Sequence, residues 1–246
     1  MKHDIQITAK TNDYERYLCS LFVDANARQQ ICLSIVFAAE VMRIPAIISD
    51  EMVGLVRLKW WCEQLQQIID SATSPSPSTP TPSTPILQEL QQYPALIAHY
   101  IELCEVIADN LPASLKGVDL SAIKQVMRAY FTVLAHAAGE AQTVAQYHDI
   151  ADLCSEIAMI RTNPYADNHH ADTPQISYKL ASYKLGEHTQ AITRQTPYLQ
   201  KLERIVLLWQ KQLYSGGELR KNPNEIKIKH LALKLCTPLF TFSLPK

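Results

Sequence analysis

Glycine is the residue this chain uses most sparingly, and its scarcity limits the fold more than any motif does. There are six glycines in 246 residues and no stretch in which apolar and polar residues alternate. Hairpin turns draw on glycine, and half-buried strands need that alternation, so a sheet has little to be built from. Fourteen prolines punctuate the chain instead. A proline removes a backbone donor and clashes with the preceding turn, so it marks where a helix stops. The expected fold class is all-α, a single helical-bundle domain over residues 1–246. The 47% hydrophobic content suffices for one substantial core.

The punctuation sets the expected helices. Asn12 or Asp13 can cap a helix running to Leu21, and Ala25–Arg43 reads as a second that ends before Pro45. Ser49 or Asp50 can cap a third from Glu51 to Ile69, with Val53, Val56, Trp60 and Leu65 as apolar positions. Residues 71–85 alternate proline with Ser and Thr, which favours extended chain. They read as a surface insertion between helices, with a proline-rich recognition site as the weaker alternative. Further helices are expected at Ile86–Gln92, Ala95–Asn110, Leu120–Glu140, Asp149–Thr162, Thr189–Tyr214 and Asn224–Leu235. Ala135, Ala137, Ala138 and Gly139 would let two helices approach closely. Gly216-Gly217 reads as a helix-ending turn.

Composition excludes several classes. A formal charge of −1 lacks the basic excess that nucleic-acid binding requires. Six cysteines (Cys19, Cys32, Cys62, Cys104, Cys154, Cys236) are scattered singly, mostly in apolar stretches where a thiol behaves as a small hydrophobe. That usage points to a reducing compartment rather than to disulfides or metal. The start MKHDIQITAKTND is polar, so neither a secretory signal nor an Arg-rich presequence is expected. No apolar run is read as reaching transmembrane length. The expected location is cytoplasmic, with peripheral contact at the inner membrane left open.

The string DYERYLCSLFVDANARQQICLSIVFAAEVMRIPAIISDEMVGLVRLKWWCEQL resembles the opening of the squalene/phytoene synthase family. Its matching positions are Asp13, Tyr17, Leu18, Arg28, Phe37, Arg57, Leu58, Trp60 and Trp61. A second patch, LCSEIAMIRTNPYADN (153–168), resembles the family's late helix. The resemblance implies a terpenoid-synthase-like bundle. Y-L-C-S-L, F-A-A-E-V and R-T-N-P-Y look most like the complex I assembly factor branch, which shares the fold and is thought to lack synthase activity.

Active members ionise an allylic diphosphate with Mg²⁺ held between two aspartate-rich helix motifs. Carboxylates at i and i+3 or i+4 share a helix face, and Mg²⁺ offsets charge on the leaving group. Aligned on Phe37, the first motif falls on Met42, Arg43 and Ala46, and no aspartate lies between Asp24 and Asp50. Glu40 is the only acid there. The second motif falls on Thr162–Asp167, where Arg161 is kept, Thr162 stands for an aspartate and Pro164 interrupts the helix. The family's Arg after the tryptophan pair is Cys62. Both halves of the implied metal site are degraded, so no metal and no cofactor are expected.

The polar residues left on the family-like helices are Tyr17, Arg28, Glu40, Arg43, Arg57 and Arg161, with Trp60 beside them. One reading makes them a residual cavity that binds an anionic headgroup, isoprenoid or lipid without metal. The other pairs Arg57 and Arg161 with buried acids such as Glu40 to hold the bundle in register. Three further groups are weaker candidates. Asp149, Asp152 and Glu156 are expected to favour a helix N-terminus. Glu102, Glu105 and Asp109 are expected on a solvated face. Asp167, His169, His170 and Asp172 form a polar loop that lacks the converging ligands of a metal site.

The function that follows from the resemblance is a non-catalytic assembly or scaffold factor with a protein partner, in the first instance subunits of respiratory complex I. The alternative is an active prenyl transferase acting on farnesyl or geranylgeranyl diphosphate with Mg²⁺ at an altered site. A third is an isoprenoid- or lipid-binding module. An open cavity would favour the last two, and an interior filled by side chains the first.

Overall fold

A computed structural model describes residues 2–73, 84–116, 119–162, 197–202, 204 and 205, with side chains other than those of 2, 3, 113, 115, 116 and 156–162. The fold is all-α, and the described residues contain no strand. The helices are α1 (Lys2–Asn12), α2 (Tyr14–Ser20), α3 (Ala25–Met42), α4 (Ile44–Ile47), α5 (Glu51–Thr73), α6 (Pro85–Leu90), α7 (Pro94–Lys116), α8 (Leu120–Ala137) and α9 (Val144–Thr162). Residues 197–202 are also helical. The stretches 74–83, 163–196 and 206–246 lie outside the described residues. With them lie most of the proline-rich insertion, the His169-His170 loop, Gly216-Gly217 and the helix expected at Asn224–Leu235.

Caps fall where small polar residues meet apolar runs. The Asp13 carboxylate accepts from Arg16 N, Asp24 from Asn26 N and Ala27 N, and Thr84 Oγ1 from Leu87 N. Asp50 Oδ1 accepts from Met52 N at 2.8 Å. Gly139 follows the last residues of α8 with φ of 74°. Gly139 N donates to His136 O and Glu140 N to Ala135 O, the paired bonds of a Schellman ending that glycine adopts without strain.

Three expectations change. The polar start is helical: α1 packs on α3 through Ile5 and Ala9, a stripe too narrow to stand out by periodicity. Helix α9 begins five residues earlier than Asp149, so its acids do not sit in the first turn. Asp152 instead accepts from Arg128 Nε at 2.7 Å and from Nη2 at 2.5 Å, tying α9 to α8. The Ala25–Ile47 stretch is long and apolar enough to cross a membrane by length and composition, contrary to the reading of the sequence. In the fold 61% of its apolar window is buried, because α3 is the helix around which α1, α2, α7 and α8 pack.

Of the apolar positions named on α5, the fold buries Leu65 and exposes the other three. The helix's buried positions are Gly54, Leu58, Leu65 and Ile68, whereas Met52, Val53, Val56 and Trp60 are exposed. Together with exposed Ile47 they leave an apolar strip on the outer face of the helix. Gly54 explains the choice of face. A Cβ there would lie 2.2 Å from Ile48 Cδ1 and 2.6 Å from Leu111 Cδ2, so the bare backbone is what lets α5 seat against α7. Both obstructing atoms end flexible side chains, and alanine favours a helix over glycine by about 1 kcal/mol. Gly54→Ala is therefore expected to leave stability near that of the parent. Gly54→Leu, which overpacks the seam, should cost about 1–3 kcal/mol. Urea denaturation of the two variants checks this order.

Candidate functional site

The candidate residues are positioned by different parts of the bundle. Arg28, in the first turns of α3, reaches back across the turn after α2. Its Nε donates to Ser20 O at 3.2 Å, and Nη2 donates to Leu21 O and Val23 O at 3.3 Å each. These carbonyls lie at the last residue of α2 and in the turn after it, where Ser20 O also accepts from Val23 N, so Arg28 acts as a C-terminal cap. Tyr17 is half-buried on α2 and packs against the core. Glu40 and Arg43 lie at the other end of α3, where Arg43 Nη2 is 3.3 Å from Glu40 Oε2 on the surface. Twelve residues of helix separate Arg28 from Glu40, about 18 Å. Arg57 is exposed on α5. Trp60 is 38% exposed, while Trp61 turns inward and meets Phe37 edge-on at 5.3 Å. The side chain of Arg161 lies outside the described residues.

Tyr17, Arg28, Glu40, Arg43, Arg57 and Trp60 thus do not converge on one cavity. Nor does Arg57 pair with Glu40 inside the bundle, because Glu40 is engaged by Arg43, three residues along its own helix. The reading of the tryptophan pair holds: one ring is core and the other surface.

The first metal motif can be tested against its surroundings. Met42 is buried, Arg43 exposed and Ala46 half-buried. Glu40, the only carboxylate nearby, faces an arginine. These residues do not fit a magnesium site, which draws on oxygen ligands and a matched phosphate. Among the described residues no group of three or more His, Cys, Asp or Glu is placed to hold a metal ion. The second motif's side chains, from Thr162 to Asp167, lie outside the described residues.

The interior instead gathers polar groups that periodicity could not reveal. Asp13, Glu15 and Arg16 are all buried, at 1%, 4% and 3% exposure. Arg16 Nη1 pairs with Asp13 Oδ2. Its guanidinium lies over the rings of Tyr130 at 5.3 Å and Phe131 at 4.7 Å on α8. Arginine suits this place because its planar charge can stack on aromatic faces while its edges hold a carboxylate. Burial pushes the Tyr130 and Tyr198 hydroxyls well above the usual phenolic range. The sequence forewarned of this only through Asp13, the first matching position of the segment that resembles the family's opening.

A second buried group hangs from the Schellman turn. Glu140 accepts from Tyr147 Oη at 2.6 Å, Tyr198 N at 3.1 Å and Leu199 N at 3.3 Å. Burial raises its carboxyl, and the hydrogen bonds oppose that shift. Its partners are the backbone donors that open the helical turn at 197–202, a favourable place for a carboxylate. Tyr147 and Tyr198 stack beside it, 6.3 Å between centroids. Tyr100, with its hydroxyl 2.8 Å from Ser34 Oγ, and Phe37 are fully buried as well.

Where α7, α8 and α9 meet, His99 and His136 stack with centroids 3.7 Å apart, and His148 Nε2 lies 2.8 Å from Thr132 Oγ1. Glu102, Glu105 and Asp109 are exposed, as expected of a solvated face.

The fold can now be set beside known proteins. The family model for squalene/phytoene synthase matches residues 9–155, and the chain belongs to that family. Its sequence is also similar to the human protein "NADH dehydrogenase (ubiquinone) complex I, assembly factor 6", with 30% identity over 59 residues. That match covers 24% of this chain and only 18% of the human protein's length. No solved structure matches the chain.

Two outcomes are expected from these geometries. Removing one partner of a buried ion pair strands the other charge, whereas an exposed pair contributes roughly 0–1 kcal/mol. Arg16→Met should therefore cost about 3–5 kcal/mol and Arg43→Gln little, as read from urea unfolding midpoints.

The second outcome concerns pH. His136 is held below its ordinary value of 6.5 by burial and then by His99, with Glu102 opposing. His148 is lowered by burial and then by Arg128, with Asp152, Asp149 and Glu102 opposing. The unfolded chain therefore binds more protons than the folded one just below pH 6.5, and stability falls as pH drops through that window. The melting temperature should decline on acidification from neutrality, and His136→Asn with His148→Asn should flatten the slope.

Proposed function

We propose that this protein is a non-catalytic member of the squalene/phytoene synthase family that assists assembly of respiratory complex I by binding one of its subunits. The observation that carries the reading is the end of α3. There Met42, Arg43 and Ala46 occupy the positions where the family's first aspartate motif should fall, and Glu40 is taken up by Arg43. Without paired carboxylates, the leaving pyrophosphate has no metal to stabilise it.

A scaffold is favoured over an isoprenoid- or lipid-binding module because Arg28 is spent on backbone carbonyls, Glu40 on Arg43, and Arg57 and Trp60 lie on the exposed side of α5. Support for complex I comes from the local similarity to the human assembly factor. The apolar strip of Met52, Val53, Val56 and Trp60 is a surface of the kind that protein partners use, and we assign it to the complex I subunit. The protein would work in the cytoplasm, peripheral to the inner membrane.

Deleting the gene tests this directly. Assembled complex I should fall in the deletion strain, and the wild-type gene should restore it. The Val56→Asp/Trp60→Asp double variant, altered only at exposed positions, should fold normally and fail to restore it. Normal assembly in the deletion strain overturns the complex I reading. Pyrophosphate release from farnesyl or geranylgeranyl diphosphate with Mg²⁺ overturns the non-catalytic one.

A further inference from the structure

The turn between α2 and α3 exposes an apolar pair that the function above does not use. Leu21 is 42% exposed and Phe22 56%, whereas Cys19 and Ser20 just before them are buried. The backbone beneath the pair is sealed. Leu21 N donates to Leu18 O, Phe22 N to Cys19 O and Val23 N to Ser20 O. Arg28 Nη2 donates to Leu21 O and Val23 O from the other side. Every N–H of residues 21–23, and two of their three carbonyls, thus has a partner within the protein. A turn with open polar groups is costly to take out of water, and this one has few.

Cations stand beside the pair. Lys201 Nζ lies 4.1 Å from the centroid of the Phe22 ring. Arg204 is exposed, and at three residues beyond Lys201 it shares that face of the helical segment. The Arg28 guanidinium adds a third positive charge behind the turn. Asp24, the one acid of the turn, is taken up as the cap of α3, where it accepts from Asn26 N and Ala27 N. The strip on α5 differs in charge, because Glu51 and Glu63 share that helix with Arg57 and Lys59, and Lys59 Nζ is 3.8 Å from Glu63 Oε1.

From this juxtaposition we infer that the turn between α2 and α3 is a docking corner for an anionic bilayer. Leu21 and Phe22 enter the boundary between headgroups and acyl chains, and Lys201 and Arg204 meet the headgroups. Leu and Phe beside Lys and Arg are the composition of interfacial anchors. Long basic side chains can lay their stems along an apolar ring and keep their charge at the headgroup level. Charge selects the lipid, since an anionic surface attracts each cation held close to it. The sealed backbone selects the bilayer over a protein: a protein partner could satisfy open N–H groups, whereas acyl chains could not. The inference rests on the peripheral placement proposed above and gives it a surface distinct from the strip assigned to the protein partner.

Flotation of the purified full-length protein with vesicles tests the corner independently of complex I. The protein should float with vesicles of phosphatidylcholine and phosphatidylglycerol, detach as salt is raised, and stay behind with phosphatidylcholine alone. Lys201→Gln/Arg204→Gln should weaken partition onto the anionic vesicles about tenfold. Leu21→Ser/Phe22→Ser should abolish it, and Val56→Asp/Trp60→Asp should float as the wild type does. Melting temperatures near that of the parent verify that the variants fold. Wild type that ignores anionic vesicles, equal flotation on neutral ones, or undiminished flotation of Leu21→Ser/Phe22→Ser would overturn the inference. So would a wild type that ignores vesicles while Leu21→Ser/Phe22→Ser fails to restore complex I, since the corner would then dock a protein. Vesicle binding as expected, together with normal complex I assembly in the deletion strain, would remove the complex I reading and leave the corner standing.

Discussion

The buried guanidinium of Arg16 is the constraint around which the rest of the bundle is arranged. A charge taken out of water needs a compensating partner and tolerable surroundings at once. Asp13 supplies the first, and because it also caps α2 its carboxylate is held by a bond within its own turn. The Tyr130 and Phe131 rings of α8 supply the second. The ion pair thus sets where α2 meets α8. The position of α3 follows, since it packs against both. Glu140 does a comparable job just past the C-terminus of α8, where its carboxylate takes the first N–H groups of the turn at 197–202.

Aliphatic packing alone would leave the rotation of α5 poorly determined, because apolar residues occur on more than one of its faces. The decision falls to the smallest residue. Gly54 admits Ile48 and Leu111 to the helix backbone, and a ladder starting there takes Leu58, Leu65 and Ile68 inward. Val53, Val56 and Trp60 are left outside by the same rotation. One geometric choice therefore produces both the buried ladder and the exposed apolar strip.

These cases explain what could be read from the sequence and what could not. Helix class and ends were legible, because Asp13, Asp24, Asp50 and Thr84 act locally and proline interrupts locally. Helix α1 was not, since Ile5 and Ala9 give too narrow a stripe. Which face of α5 is buried was not legible, because Val53, Val56 and Trp60 follow helical spacing as well as Leu58 and Leu65 do; only the partner helix decides between them. Arg28 and Arg57 were paired in thought with a ligand or with Glu40. Arg28 found carbonyls eight or fewer residues away, and Glu40 found Arg43. Local partners win such contests because they cost the least chain entropy.

The family's frame and its chemistry place different demands on a sequence. The frame rests on groups buried throughout the bundle, so losing Arg16 or the α5–α7 seam would be felt by the whole domain. A metal site rests on a few carboxylates whose loss relieves repulsion between like charges and can leave the core intact. At the end of α3, where the resemblance puts the first such motif, stand a buried methionine, an exposed arginine and a half-buried alanine, and Glu40 is paired with Arg43. Asp13, which caps α2, and Arg28, which holds the carbonyls after it, do their structural work whatever that end of α3 binds. A frame held by such local and buried bonds does not depend on the carboxylates of a site, which is the condition under which either can change without the other.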